Sequence, residues 1–335
     1  MNVLVIGGTM FIGRLLVHEL LKAGHEVTVL HRKPKHDFGR RVGNLRADRN
    51  DAKSLKTALG GRQFDVVFDN VYDWEHGTTG AQVEATARLL ATDRLHRYVY
   101  VSSVAAYGDG LNHHEGDALA PDDHRDSYVR NKAMAERALF RMHQRDRFPA
   151  VTLRPPYIYG PGNNFYREGF FWDRLRDKRP IIVPGDGRRL MQFVYVKDLV
   201  NAMLRAMDVP EAAGQAFNIS NFRPISQLEM LESIGRAAGR PLHLVRLPRE
   251  SIRRAGGSAL GPHLYFAFYY DLPPITMVVN KAQRVLKWKP VDFDDGVKET
   301  YRWWQRHNPF PRPDYAFEDS LVALAATLQP HPDED

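Results

Sequence analysis

Five β-rich runs, VLVIG, EVTVLH, FDVVFDN, RYVYVSS and AVTLRPP, alternate with helical stretches such as QVEATARLLATD and YVRNKAMAERALFRMHQ. Strands bridged by helices pair in parallel, since a parallel neighbour is reached only by a long crossover. The pattern predicts an α/β chain built on a doubly wound parallel sheet. After Pro155 the rhythm breaks into the Gly- and Pro-rich loops PPYIYGPGNN and VPGDGRR, where a smaller second lobe is expected to begin. The expected boundaries are 1–155 for the sheet domain, 156–310 mainly for the second lobe, and 311–335 for a tail. FVYVKDLVNAMLRAM and AFNISN read as a strand feeding a helix and as a further strand, so the chain should return to the first domain near 192–220. The tail carries an apolar turn, SLVALAATL, and its end HPDED is expected to be solvated.

The first strand, Val3 to Ile6, runs into GGTMFIG, and an apolar helical pattern starts near Phe11. Glycines at 7, 8 and 13 suit a backbone that turns sharply and lets a pyrophosphate approach a helix N-terminus, where free N–H groups and the helix dipole attract negative charge. The context of strand, turn, helix and second strand is that of a dinucleotide site, although an ordinary β–α turn uses glycines too.

A length of 335 residues with 43% hydrophobic side chains allows a substantial core in about two domains. With no cysteine, a disulfide framework or thiolate metal site is excluded, no metal is expected, and a reducing cytoplasm is the simplest compartment. No apolar run is long enough for a bilayer, and a strand starting at residue 2 leaves no room for a signal peptide. The net charge of +7 permits nucleic-acid binding, but acids are interspersed in the basic segments ERALFRMHQRDR and DRLRDKRP, and attraction of an anionic cofactor or substrate explains the excess as well.

The chemistry lies in SSVAAYG and YVRNK. Tyr128 and Lys132 are four apart, so on a helix they share a face and an ammonium can act on a phenol. A tyrosine titrates near pKa ~10, and service as acid or base near neutrality needs positive charge beside it. A solvated helix face carries the same pair. The serines that follow a central strand separate the two readings, because ligands bind at the carboxyl ends of parallel strands.

In order and spacing these segments resemble the short-chain dehydrogenase/reductase superfamily, in its extended, atypical epimerase/dehydratase branch. GGTMFIG stands at the glycine-rich turn, SSVAAYG at the catalytic Ser or Thr, YVRNK at the Tyr and Lys, and LRPPYIYGPG, PGDG, QFVYVKDL, AFNIS and NKAQRVLKWKP follow. The resemblance covers residues 1 to about 305 and implies a Rossmann domain with a C-terminal substrate-binding lobe. By position it implies that Ser103 bonds the substrate oxygen, Tyr128 moves the proton, and Lys132 binds the nicotinamide ribose and tunes Tyr128. Ser102 is the alternative to Ser103. The implied cofactor contacts are Gly7, Thr9, Met10, Phe11, Ile12, Gly13, His31, Arg32, Lys33, Asp48, Asn70, Val71, Tyr128, Lys132 and Pro155. The substrate contacts are Ser103, Tyr157, Asn164, Trp172 and Arg174.

The departures from the pattern also carry expectations. Met10 replaces the middle glycine of the turn. His31, Arg32 and Lys33 stand where NAD-binding relatives place an acid, which favours the 2′-phosphate of NADP(H), with NAD(H) open. Gln82 replaces an Asn of the family's proton relay. Val104 and Ala105 replace the Asp-Glu pair of dehydratases, so dehydration by that route is not expected. Met191 and Phe268 replace two diphosphate-binding arginines, for which Arg188, Arg189, Arg167 or Arg174 could substitute. The aromatic runs FYREGFFWDR and YFAFYYDLPP line either a pocket or a core.

The leading expectation is an enzyme that epimerises, oxidises or reduces a secondary alcohol of a sugar or nucleotide sugar through a keto intermediate. The alternatives are a reductase of a non-sugar carbonyl, an RNA-binding protein on the same fold, and a sensor of the cofactor ratio. The resemblance implies that helices at Gln82 to Thr92 and Tyr128 to Gln144 pair with their copies in a homodimer, and Val129, Ala133, Ala138, Leu139 and Met142 offer apolar surface in partial support.

Overall fold

The computed structural model describes residues 1–261 and 263–328 and divides into two compact units. The first comprises Met1–Ile158, Phe193–Phe222 and Ile275–Val291. The stretch 275–291, assigned to the second lobe by the sequence pattern, thus belongs with the sheet. The second unit takes 159–192, 223–274 and the chain from 292 onward. No helix among the described residues is long and apolar enough to cross a membrane.

In the first unit the elements run β1 (Asn2–Ile6), α1 (Phe11–Lys22), β2 (Glu26–His31), β3 (Val42–Arg46), α2 (Ala52–Leu59), β4 (Val66–Asp69), α3 (Gly80–Leu90), β5 (Arg97–Val101) and α4 (Ser127–Asp146). The strand Ala150–Arg154, the helix Val196–Asp208 and the strand Gln215–Asn218 complete the alternation. The seven strands form one parallel sheet, with Gln215–Asn218 at one edge, then Ala150–Arg154, β5, β4, β1, β2, and β3 at the other. Val3, Leu4, Val5 and Ile6 are fully buried, as strands covered by helices on both faces must be. Their alternate side chains feed two cores: Val3 and Val5 pack with Leu16 and Leu20 of α1 and Leu199 and Met203, while Leu4 and Ile6 pack with residues of α2, α3 and α4.

Strand order reverses on either side of β1, so β1, β2 and β4 leave a crevice at their carboxyl ends, the usual ligand position in such sheets. The apolar residues offered for a dimer face are already buried within this chain: Val129, Ala133, Ala138, Leu139 and Met142 are each at most 6% exposed. Leu139 and Met142 pack into the core shared with Leu4 and Ile6, and Val129 and Ala133 pack with Ala120. The expected surplus of apolar surface on α4 is therefore absent at these positions.

In the second unit the strand Ile181–Pro184 pairs in parallel with Leu244–Leu247, and helices Arg167–Arg176, Gln227–Ala238, Phe293–His307 and Ala316–Leu328 are its longer helices. FYREGFFWDR and YFAFYYDLPP form an aromatic core: Phe170, Phe171, Trp172, Tyr265, Phe268 and Tyr270 are all buried. The apolar turn expected in the tail is the helix Ala316–Leu328, which buries Leu321 and Ala325. HPDED lies outside the described residues.

Candidate active site

The glycine turn is shaped by contacts that admit no larger side chain. Gly7 adopts φ +86°, and a Cβ on it would lie 2.8 Å from Val71 Cγ2. A Cβ on Gly13 would collide with the Gly7 carbonyl, the same oxygen that accepts from Asn70 Nδ2 at 3.1 Å. Asn70 and Val71, just past the end of β4, therefore brace the turn. Met10 stands at the N-cap of α1 with an extended backbone that a non-glycine residue adopts without strain, and its side chain is half exposed. No side chain caps α1 there. The first-turn N–H groups thus keep the arrangement that suits an anion. Thr9, Phe11 and Ile12 of the turn are half-buried.

Beyond β2, Arg32 and Lys33 are exposed, and Arg32 Nη1 lies 3.4 Å from Asp73 Oδ2. His31 differs from expectation. It is buried, and its Nε2 bonds to Asn44 Oδ1 of β3 at 2.6 Å. A ring turned into the sheet edge cannot also meet a phosphate, so the cationic reading rests on Arg32 and Lys33. Asp48 forms an Asx turn, its Oδ1 accepting from Asn50 N at 2.8 Å. The adjacent Arg49 is buried beneath it, donating to Asp69, to Thr86 Oγ1 at 2.7 Å and to Gln82 O at 3.1 Å.

At the end of β5 the two serines separate in role. Ser102 Oγ donates to Glu136 Oε1 at 2.5 Å inside the core. Ser103 Oγ accepts from Ala105 N at 3.1 Å, capping the turn Val104–Tyr107. A hydroxyl that accepts there still carries a proton to donate. Pro155 is buried, and its carbonyl accepts from Val104 N at 3.0 Å, tying the serine segment to the neighbouring strand end.

Asp126 caps α4, accepting from Tyr128 N at 2.8 Å and Val129 N at 3.3 Å, and so fixes where the helix begins. Tyr128 is half-buried one turn before Lys132, which is 4% exposed and donates from Nζ to Val101 O at 2.8 Å. Burial pushes the ammonium down to about 8, with Asp69 and Glu136 pulling the other way. Its Nζ lies 4.8 Å over the Tyr100 ring, 5.4 Å over Tyr72 and 5.9 Å over Tyr128. Lys132 thus anchors the helix face that carries Tyr128 to the last residue of β5, two positions before Ser103.

Beneath this strand end lies a buried network absent from the expected site. Glu136, four residues after Lys132 on the same helical face, accepts from Arg154 Nη2 at 2.7 Å and Thr152 Oγ1 at 3.0 Å as well as from Ser102. Arg154 Nη1 donates on to the Tyr107 hydroxyl at 2.7 Å, and Tyr107 donates to Asn218 Oδ1 at 2.8 Å. The i,i+4 continuation Tyr128, Lys132, Glu136 was the signal that could have exposed it. Gln82 is taken up by a capping box with Thr79 and by a bond to Asn50 O at 3.1 Å. A relay through its amide is not built here.

The expected substrate contacts fall in both units. Tyr157 is half-buried against Phe193 at 5.6 Å, and Asn164 is exposed. Trp172 is 1% exposed and Arg174 3%, with Arg174 Nε bonded to Glu318 Oε1 at 2.9 Å. Both belong to the core of the second unit, which corrects their assignment to a substrate surface. Of the substitute arginines, Arg189 is engaged by Asp271, which Arg249 also holds at 2.5 Å, while Arg188 is exposed and Arg167 lies over the Phe165 ring at 4.8 Å.

Comparison with known proteins identifies the family of the chain. The NAD dependent epimerase/dehydratase family matches residues 3–220. The chloroplast stem-loop binding protein of 41 kDa b of Arabidopsis thaliana is 29% identical, covering 98% of this chain and 86% of its own. A 2-alkyl-3-oxoalkanoate reductase of Stenotrophomonas maltophilia is 29% identical over 72% of this chain and 77% of its own. Among solved structures, the dTDP-glucose 4,6-dehydratase of Bacillus anthracis in complex with NAD superposes with a TM-score of 0.74 at 17% identity, covering 91% of this chain and 97% of the other. The UDP-glucose 4-epimerase of Thermotoga maritima gives 0.72 at 20% identity, covering 92% and 100%. These two share the Rossmann-type fold. By the family match over most of its length, this chain is a member of the NAD dependent epimerase/dehydratase family, enzymes of the short-chain dehydrogenase/reductase type.

Proposed function

We propose that the protein binds NADP(H) and interconverts a secondary alcohol and a ketone on a sugar or nucleotide sugar, as an epimerase or an oxidoreductase. The observation that supports this reading is the buried Lys132, held by Val101 O at the end of β5 with its ammonium 5.9 Å over the Tyr128 ring. A bound nicotinamide would supply the hydride acceptor or donor for the carbinol carbon. Tyr128 takes the hydroxyl proton, Ser103 donates to the substrate oxygen, and Lys132 supplies positive charge beside the phenol. Gly7, Gly13 and the first turn of α1 would hold the pyrophosphate, Asp48 the adenine, Asn70 and Val71 the adenosine ribose, and Arg32 with Lys33 the 2′-phosphate.

The test is Tyr128→Phe. It should retain NADP+ affinity and lose most NADPH-linked turnover, whereas wild-type turnover in this variant would refute the mechanism. Mass spectrometry of the nucleotide that copurifies identifies the cofactor directly.

The buried Arg174 and the Arg189–Asp271 contact leave few cations for a diphosphate, which favours as a second reading the reduction of a non-sugar carbonyl, in line with the oxoalkanoate reductase likeness. A third reading, RNA binding, is favoured by the likeness to the stem-loop binding protein and by exposed Arg32, Lys33, Lys35, Arg40, Arg41 and Arg46. A salt-dependent affinity for hairpin RNA that Arg40→Glu weakens would support it. A cytoplasmic homodimer pairing α3 and α4 with their copies rests on the family resemblance, and light scattering at micromolar concentration tests it against the 38.4 kDa of one chain.

A further inference from the structure

A cavity of about 340 Å³ opens in the second unit, and the residues that line it all belong to that unit. Its wall is divided in chemistry. Leu260, Phe268 and Leu272 give it an apolar side, while Arg189, Arg253 and Asp271 bring charge to it. A concave site of this size, mostly apolar with a few placed polar groups, has the make-up of a small-molecule site.

The charged groups are not equivalent. Asp271 is buried and held by Arg249, Nε to Oδ2 at 2.5 Å and Nη2 to Oδ1 at 2.8 Å. Arg189 donates to the Asp271 carbonyl oxygen and approaches the carboxylate at 3.5 Å. Gly185 leaves room for this arrangement, since a Cβ on it would collide with the Arg249 guanidinium. One buried carboxylate thus serves two guanidiniums, and the cluster keeps a positive charge.

Arg253 is differently placed. It stands exposed on the helix Arg249–Arg254, its guanidinium carbon 5.2 Å from the centre of the Phe268 ring. Its contact with Glu250, at 3.6 Å, is between two exposed side chains and is screened by water. Asp186, 3.8 Å from Arg249, is exposed in the same way. A planar guanidinium donates to both oxygens of a carboxylate side by side, and the ring under it then meets the group that carries that carboxylate. A diphosphate would call for further cations, and Arg189 and Arg249 are already engaged by Asp271.

We propose that this cavity binds a small monocarboxylate with an apolar body: Arg253 receives the carboxylate, and Leu260, Phe268 and Leu272 receive the body. That body is an aryl group or an acyl chain. The site is one of the second unit alone and draws on no part of the assignment of Tyr128.

The test is calorimetry on the full chain without dinucleotide, at fixed salt, with 3-phenylpropionate, hexanoate, the corresponding alcohols 3-phenyl-1-propanol and 1-hexanol, and UDP. At least one carboxylate should bind, and the tighter of the two identifies the body. Its alcohol should bind about tenfold more weakly or worse. Arg253→Ala should weaken the carboxylate about tenfold, whereas Arg254→Ala, on the same helix but outside the lining, should leave it within about twofold. Leu260→Ser should weaken it about threefold through lost apolar contact. Arg253, Arg254 and Leu260 are exposed, so these variants keep the fold. Absence of carboxylate binding, an alcohol that matches its acid, equal binding by Arg253→Ala or Leu260→Ser, or equal loss in Arg254→Ala overturns the proposal. So does UDP that binds more tightly than either carboxylate and depends on Arg253, since the cavity would then hold a diphosphate. No dinucleotide or turnover enters the measurement, so its failure leaves the Tyr128 reading standing, and wild-type turnover in Tyr128→Phe leaves this one standing.

Discussion

The guanidinium of Arg154 lies along the carboxylate of Glu136, Nη2 to Oε2 2.7 Å, with both side chains shut away from solvent. The pair links the strand Ala150–Arg154 to the middle of α4, on which Tyr128 and Lys132 stand. Removing one partner leaves a buried charge without its counterion. Glu136→Gln should therefore destabilise the fold by about 3–5 kcal/mol, and adding Arg154→Met should cost less than a second loss of that size. Urea unfolding of the single and double variants measures both; strict additivity would show that the pair is not coupled.

Lys132 is held down to about 8 by burial. Below that pH it is charged in both states and burial opposes folding. Between about 8 and the ordinary ~10.4 the unfolded chain binds more protons, so stability should rise with pH there. Lys132→Met removes this dependence. Its advantage over wild type, about 1–3 kcal/mol at pH 7, should shrink by pH 10. Parallel curves from denaturant unfolding across that window would contradict the burial account.

Glu168 shows the opposite sign. Its buried carboxyl is pushed up to about 7 although Asn163 Nδ2 donates to it at 2.9 Å and Arg167 opposes the shift. Its contribution is intact below the ordinary ~4.3 and is lost as pH rises through 7. Glu168→Gln should match wild type near pH 4.5 and exceed it at pH 8, by at most about 3 kcal/mol. Melting curves at the two pH values decide this.

Arg32→Ala should weaken NADP+ more than NAD+, because only the former carries the 2′-phosphate. A loss of about tenfold or more, confined to NADP+, is expected in calorimetry at fixed salt. Equal losses for both dinucleotides would remove Arg32 from the phosphate site.

The central strands were legible because residues such as Val3 to Ile6 are apolar on both faces, and the placing of Tyr128 and Lys132 one turn apart on a helix was legible because that spacing is local. The edge strand β3, VGNLR, was not anticipated. Only Val42 and Leu45 of its five residues are buried, and Gly43 and Asn44 are poor strand formers. The same gap misplaced His31, whose partner Asn44 lies on that strand. Trp172 and Arg174 sit on the amphipathic-looking helix Arg167–Arg176, but Arg174's counterion is Glu318, far along the chain. Pairings of that range leave no periodic trace in a sequence.

The threading of each unit from separated pieces sets an order of events during synthesis. The sheet gains its last edge strand only once Gln215–Asn218 has left the ribosome, and Trp288, which donates to Asp198 O at 2.8 Å, arrives later still. A nascent fragment ending at Ile158 would therefore expose the Ala150–Arg154 edge and the sheet face that Val196–Asp208 covers. In the second unit Arg174 must wait as an unmatched cation until Glu318 is translated. Chaperone binding to stalled chains should accordingly persist past residue 222 and fall away only after the helix Ala316–Leu328 emerges.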